Sequence, residues 1–258
     1  MSSNSGSVTP LPSQGHQAQQ PRKGPHAPSC DHNKYPIHEV LKTLLHAPGP
    51  AEANDTTNQV KPLLRRSRVL ELGAGTAEHA IYFTEQFHAE EIALWQTTDL
   101  ASELPGMTLN LSEGNVEPSR CPLPKVLSFT DSEETWLSLN SEVADHHKQL
   151  RPPSWDIVFT ANTFHIAPWE ACLMCCAKLQ HVVVPGGFFV IYGPFNYNGT
   201  YTSESNARFD LWLKANKSAQ SAIRHFEQVD KAMTDGGFSL FADHPMPENN
   251  HCLVFRKK

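Results

Sequence analysis

A short apolar strand, Arg68-Val69-Leu70-Glu71-Leu72, runs directly into Gly73-Ala74-Gly75-Thr76-Ala77. A helix follows, marked by Ala80, Phe83 and Phe87 at i, i+3 and i+7. Strand, glycine turn and helix in that order restrict the fold more than any other feature of the chain. Glycine lets the backbone turn tightly and lets a ligand come close to it. The helix behind the turn presents free N–H groups at its start.

The same alternation continues downstream. Ile92-Ala93-Leu94-Trp95-Gln96 reads as a second strand ending near Asp99, and a weaker strand is predicted around Lys125–Phe129. Asp156–Ala161 is another strand, Pro168 opens the next helix, and Pro185-Gly186-Gly187 ends that unit. Phe188–Tyr192 reads as a buried strand. Such alternation implies an α/β fold with a mostly parallel sheet and helices on both faces. The last third differs: a helix around Glu227–Thr234, a strand near Phe238–Ala242 and a strand Cys252–Phe255 predict an antiparallel hairpin at the sheet edge.

Residues 1–29 of the 258 contain one Leu, one Val and no Phe, Tyr or Trp, and read as a disordered tail. Residues 30–258 then form one domain, with a flexible linker at 47–62. Ahead of the linker, Ile37, Val40, Leu41, Leu44 and Leu45 recur at helical spacing. The net charge of -6, without a long basic run, disfavours a nucleic-acid partner. No apolar stretch reaches membrane-spanning length and no signal-peptide core is evident, so a cytoplasmic protein is expected, with nuclear access open. Oligomeric state is not encoded in any pattern. The six cysteines read as free thiols. Cys172, Cys175 and Cys176 lack the second ligand pair a zinc site needs, so no metal is expected. His146-His147 reads as surface.

The ligand of the turn follows from charge. A dinucleotide site wants a small residue where this chain has Glu78, whose carboxylate would oppose a diphosphate. S-adenosyl-L-methionine carries a sulfonium, an amino group and a ribose diol, all compatible with carboxylates. Glu71 lies just before the turn, and Asp99 lies 24 residues after Gly75, where an acid accepts from ribose hydroxyls.

Glu71–Ala77 with Asp99 resembles the signature of class I methyltransferases. Asn33-Lys34-Tyr35-Pro36-Ile37, Gly75–Ala80, Trp95–Leu100, Ala161–Trp169, Tyr192–Phe195, Ser203–Asp210 and Pro247–Asn250 together resemble one family, the methyltransferase-like 26 group, described as a domain of unknown function. The resemblance covers about residues 27 to 258. It implies a Rossmann-like class I methyltransferase fold with seven strands, and S-adenosylmethionine as cofactor. It implies Asn33, Glu71, Gly73, Ala74, Gly75, Asp99, Ser128 and Asn162 as the cofactor site. Three departures from the family pattern stand out: Ala77 replaces a glycine, Asp31-His32 replaces Glu-Arg, and Ser128 replaces an aspartate associated with the adenine amino group, a role that Ser128 as an acceptor, or Asp131, could take.

Methyl transfer needs positioning, and a base only for a protonated nucleophile. Asn162 and His165 follow the fourth strand, at the edge where such sheets bind ligands. Asn162 would orient cofactor or acceptor. His165 is the base candidate, since a histidine ordinarily titrates near neutrality. Tyr192 and Asn196 would line the acceptor pocket, and Ser203–Asp210 would form its lid or wall. Asn249-Asn250 reads as the cap of a tight turn. The expected function is methylation of a small molecule. The alternatives are a non-catalytic S-adenosylmethionine-binding or interaction protein on the same fold and, disfavoured by Glu78, a nicotinamide-dependent enzyme.

Overall fold

The computed structural model describes residues 24–46, 66–141 and 155–258. The tail expected at 1–29 falls outside the described residues as far as 23, and so do the linker 47–62 and His146-His147.

The elements, in chain order, are α1 (Pro28–Leu45), β1 (Ser67–Leu72), α2 (Glu78–Gln86), β2 (Ile92–Asp99), α3 (Leu104–Glu113), β3 (Lys125–Val126), α4 (Glu133–Ser141), β4 (Trp155–Ala161), α5 (Trp169–Val182), β5 (Val183–Gly193), β6 (Phe195–Asn196), α6 (Glu204–Asn216), β7 (Arg224–His225), α7 (Phe226–Asp235), β8 (Phe238–Met246) and β9 (Asn250–Lys257). Seven strands form one sheet in the order β3-β2-β1-β4-β5-β9-β8, and β6 pairs with β7 separately. Pairings from β3 through β5 are parallel, while β9 runs antiparallel to both β5 and β8. The fold is therefore the expected mostly parallel α/β sheet, and its hairpin is β8–β9.

Alternation along each strand divides the core. Val69, Ile157, Phe159, Val190 and Val254 meet Ile37 and Leu41 of α1, Phe83 of α2 and Met107 of α3. Leu70, Val158, Phe189, Ile191 and Phe255 meet Trp136 of α4, the Cys172, Cys175 and Leu179 stripe of α5, and Met233 of α7. All six cysteines are free and buried. Among the described residues no group of His, Cys, Asp or Glu could hold a metal. No helix there is long and apolar enough to cross a membrane.

Two boundaries differ from expectation. Pro28 and Ser29, assigned to the tail, open α1, because proline is suited to a first helical turn. The Ala27 N–H then donates to Glu78 Oε2 at 2.7 Å, tying this end to α2. Pro185-Gly186-Gly187 does not end a helix. α5 stops at Val182, and the three residues lie inside the long β5, where the β4 pairing shifts register between Trp155 and Ile157.

Candidate functional site

The strand order reverses between β1 and β4, so the loops leaving these strands diverge and open a crevice at their carboxyl ends. The glycine turn occupies the β1 side. Gly73 and Gly75 have φ of +64° and +55°, and Ala77 has +60°. A Cβ on Gly73 would stand 2.7 Å from the Thr163 side chain, whereas a Cβ on Gly75 would meet nothing within 4 Å. Gly75 thus keeps an open face. Ala77 accepts the left-handed backbone that a glycine would adopt more readily. Ala74 is anchored by its N–H donating to the Thr98 carbonyl at 3.0 Å.

Asp99, at the tip of β2, closes this turn. Its Oδ2 accepts the Gly75 N–H at 2.7 Å and its Oδ1 accepts the Leu100 N–H at 2.7 Å. Burial raises its pKa above the usual carboxylate value, against the lowering effect of the two amides. The Leu127 N–H donates to the Asp99 carbonyl, which brings Ser128 alongside. Asp131 Oδ2 accepts the Ser128 N–H at 2.7 Å, so the loop uses one oxygen of that carboxylate internally.

Glu71 lies beneath the turn, 1% exposed. Trp95 Nε1 donates to its Oε2 at 2.6 Å. Burial pushes the carboxyl up to about 8, so it is largely protonated at neutral pH. His79 Nδ1 stands 3.8 Å from Glu71 Oε1, and His79 Nε2 lies 2.7 Å from Asn33 Oδ1. This reaches Asn33 on α1, whose Nδ2 is buried without a hydrogen-bond partner among the described residues.

Asn33 also lines a cavity of about 700 Å3, together with Asn162, His165, Tyr192, Asn206 and Phe209. Asn162 takes a left-handed backbone, φ +57°, which asparagine tolerates, and its N–H donates to the Tyr192 carbonyl at 2.9 Å. Tyr192 is 4% exposed, and burial pushes its phenol up to about 12. Asn206 and Phe209 place α6 as one wall, as expected for the 203–210 segment. Pro247–Asn249 forms a 3-10 turn, and Asn250 Nδ2 donates back to the Pro247 carbonyl at 3.1 Å. Asn250 therefore caps the turn as predicted, whereas Asn249 lies within the turn at φ +57° and donates from Nδ2 to Ser205 Oγ at 3.4 Å; both line the cavity as well.

The expected reason for choosing His165 is corrected. Burial, then the Arg224 charge, holds its pKa down to about 4 instead of near neutrality. Among the described residues its ring nitrogens have no hydrogen-bond partner. It is a neutral imidazole set against the Phe209 ring, centroids 5.4 Å apart. Asn196 is also corrected: it does not line the cavity but sits in β6, with Nδ2 donating to the Ile223 carbonyl at 3.5 Å. Glu78, read as an obstacle to a diphosphate, accepts from Thr76 Oγ1 and the Ala27 N–H instead.

Two positions have a role that the sequence does not reveal: His79, although it lies in the Gly75–Ala80 segment, and Arg224, which no motif marks. His79 is held between Glu71 and Asn33. Arg224 is 7% exposed; it donates to the Phe164 carbonyl at 2.9 Å and also to the Ala167 carbonyl, gripping the loop that carries His165. Both depend on segments distant in sequence coming together: α2 and α1 for His79, β7 and the loop after β4 for Arg224.

A family model described as "Protein of unknown function (DUF938)" matches residues 24–257. The chain belongs to the DUF938 family. Solved structures place this DUF938 member on a known fold. An O-methyltransferase family 2 protein from Planctomyces limnophilus, in complex with apigenin, matches with TM-score 0.62 and 12% identity, over 89% of this chain and 60% of that one. An O-methyltransferase family protein from Burkholderia thailandensis matches with TM-score 0.59 and 11% identity, over 88% and 56%. Magnesium protoporphyrin IX methyltransferase from Synechocystis, with bound SAH, matches with TM-score 0.55 and 11% identity, over 88% and 84%. The DUF938 chain spans less than two thirds of the first two structures. At these identities the likeness establishes the Rossmann-like methyltransferase fold alone.

Proposed function

We propose that this DUF938 protein is an S-adenosylmethionine-dependent methyltransferase acting on a small molecule, and that it is of the methyltransferase-like 26 type. The observation that carries the reading is the Asp99 carboxylate. A carboxylate offers about four lone-pair sites. Gly75 and Leu100 use one on each oxygen, which leaves one on each for a ribose diol.

The other residues fit the same group. The open face of Gly75 leaves room for a close approach. The unpartnered Asn33 Nδ2 is a donor suited to the carboxylate of the amino-acid part. Glu71, expected as a charged carboxylate, is instead buried and largely protonated, so it adds no full negative charge behind His79 and Asn33. Ser128 and Asn162 complete the proposed cofactor set with Gly73 and Ala74.

When bound, S-adenosylmethionine supplies a methyl group on sulfur, open to in-line attack. Asn162, His165 and Tyr192 then orient the acceptor. The neutral His165 offers one ring nitrogen as an acceptor for the hydroxyl or amine proton of a bound molecule, and Arg224 fixes the loop that presents it. The low His165 pKa also favours a second reading, binding without turnover, because a weak base assists proton removal little.

Methyl-labelled S-adenosylmethionine, incubated with the protein and a cell extract split into small-molecule, protein and nucleic-acid fractions, separates these readings. Label in the small-molecule fraction supports the proposal. Binding of the cofactor with no label transferred to any fraction supports the second reading.

A further inference from the structure

The proposed cofactor contacts leave one partly buried side chain, 12% exposed, unexplained. His79, on α2, lies between two residues assigned to the site and is not assigned to it. Its ring stacks on Phe83, centroids 5.8 Å apart, and meets the edge of Phe159 at 5.6 Å. The aromatic packing fixes the ring plane. The polar contacts fix its proton. Asn33 Oδ1, 2.7 Å from Nε2, is a carbonyl oxygen and can only accept, so Nε2 carries the hydrogen.

We infer that His79 is a positioning residue: by donating from Nε2 to Asn33 Oδ1, it holds the Asn33 amide so that Nδ2 serves as the donor to the carboxylate of the cofactor's amino-acid part. The inference rests on the S-adenosylmethionine reading and extends it to the recognition of that carboxylate.

Three observations support it. Asn33 is 3% exposed and lines the cavity, yet Nδ2 has no partner among the described residues. A buried donor without an acceptor is costly, by about 1–3 kcal/mol, unless a ligand completes it. An amide free to rotate would present oxygen as readily as nitrogen, and the oxygen would repel a carboxylate. With Nε2 protonated and the ring neutral, the bare Nδ1 faces Glu71 Oε1 at 3.8 Å, an arrangement compatible with a protonated Glu71. Trp95 on Glu71 Oε2 holds the far end of this chain of contacts.

The test uses two probes that share the adenosine and thioether but differ in the amino-acid part. S-adenosylhomocysteine carries the carboxylate, and 5′-methylthioadenosine does not. Calorimetric affinities are measured for the wild type, His79→Phe, His79→Gln, Asn33→Ala and the double variant His79→Phe/Asn33→Ala. Phenylalanine keeps the stacking and loses the donor, while glutamine offers a donor on a shorter reach. The expected result is that His79→Phe weakens S-adenosylhomocysteine roughly tenfold or more, the range of one hydrogen bond to a charged group. The same variant should leave methylthioadenosine within twofold. The double variant should be no weaker than Asn33→Ala, and His79→Gln should recover part of the affinity.

A wild type that binds neither probe overturns the S-adenosylmethionine reading itself. A wild type that binds both, with His79→Phe weakening them equally or not at all, overturns the role of His79 alone. Should His79→Phe fail to fold, Asn33→Ala decides: loss confined to S-adenosylhomocysteine, with recovery of folding in His79→Gln, supports the role, and equal loss of both probes overturns it.

Discussion

The Gly75 amide donates to Asp99 Oδ2 at 2.7 Å, joining the turn after β1 to the tip of β2. The bond sets the distance between the open glycine face and the carboxylate proposed to receive a ribose. It also separates the roles of the two glycines, since Gly75 faces open space and Gly73 faces Thr163.

Gly73→Ala and Gly75→Ala should therefore differ. Both place a side chain on a left-handed backbone, a cost of about 1–2 kcal/mol. Gly73→Ala adds a 2.7 Å contact with the Thr163 side chain and should be the less stable of the two. Thr163→Ala in the Gly73→Ala background should regain part of the loss. Urea denaturation of the three variants checks this, and equal losses for the two single variants would contradict it.

Glu71 gives a pH signature. Its carboxyl is pushed up to about 8 in the fold from an ordinary 4.5. Between these values the folded state keeps a proton that the unfolded chain has released. Stability should then fall as pH rises from about 4.5 to 8, by up to about 1.4 kcal/mol per pH unit. Glu71→Gln can still accept from Trp95 and should flatten this slope in denaturation curves across that range. Parallel curves for variant and wild type would count against a protonated Glu71.

His165 behaves in the opposite sense. Its folded pKa, about 4, lies below the ordinary 6.5, so between these values the unfolded chain holds the extra proton. Stability from this group is full above pH 6.5 and is lost as pH falls toward 4. His79, also held at about 4, acts in the same window. Ring resonances of His165, assigned by comparison with His165→Gln, should not titrate between pH 8 and 5. A midpoint near 6.5 would restore the simple picture of a neutral-range base.

The buried cysteines should be inert. Burial pushes Cys30, Cys121 and Cys172 up to about 12 and raises Cys175, Cys176 and Cys252 as well. Thiolate is the reactive form, so native protein should resist a thiol reagent at pH 8 and react fully once unfolded. Rapid native labelling at α5 would show that its stripe is not packed as described.

How much of this was legible in the sequence depended on locality. The Glu71–Ala77 turn and the Asp99 strand end are contiguous segments whose pattern declares them. The start of α1 is not, because its buried positions ahead of Ile37 are Cys30 and Asn33, which no apolar periodicity marks. α6 was read as a segment at the site but not as a helix, since of its thirteen residues only Asn206, Asp210 and Leu213 are buried. Leu104–Glu113 does not declare itself a helix in the sequence because Pro105 and Gly106 suggest a turn, yet proline sits in the first turn of α3 and fits there. The contacts that give His79 and Arg224 their roles reach segments 46 and 60 residues away in sequence. The His165 pKa depends on burial, which a residue type does not reveal.

The most direct test of the central claim is a calorimetric titration of the protein with S-adenosylmethionine, with Asp99→Ala measured beside it. The account predicts binding by the wild type and a loss of roughly thirtyfold or more in the variant, the scale of one or two hydrogen bonds to a charged acceptor. Absence of binding by a folded wild type, or equal binding by the variant, would contradict it.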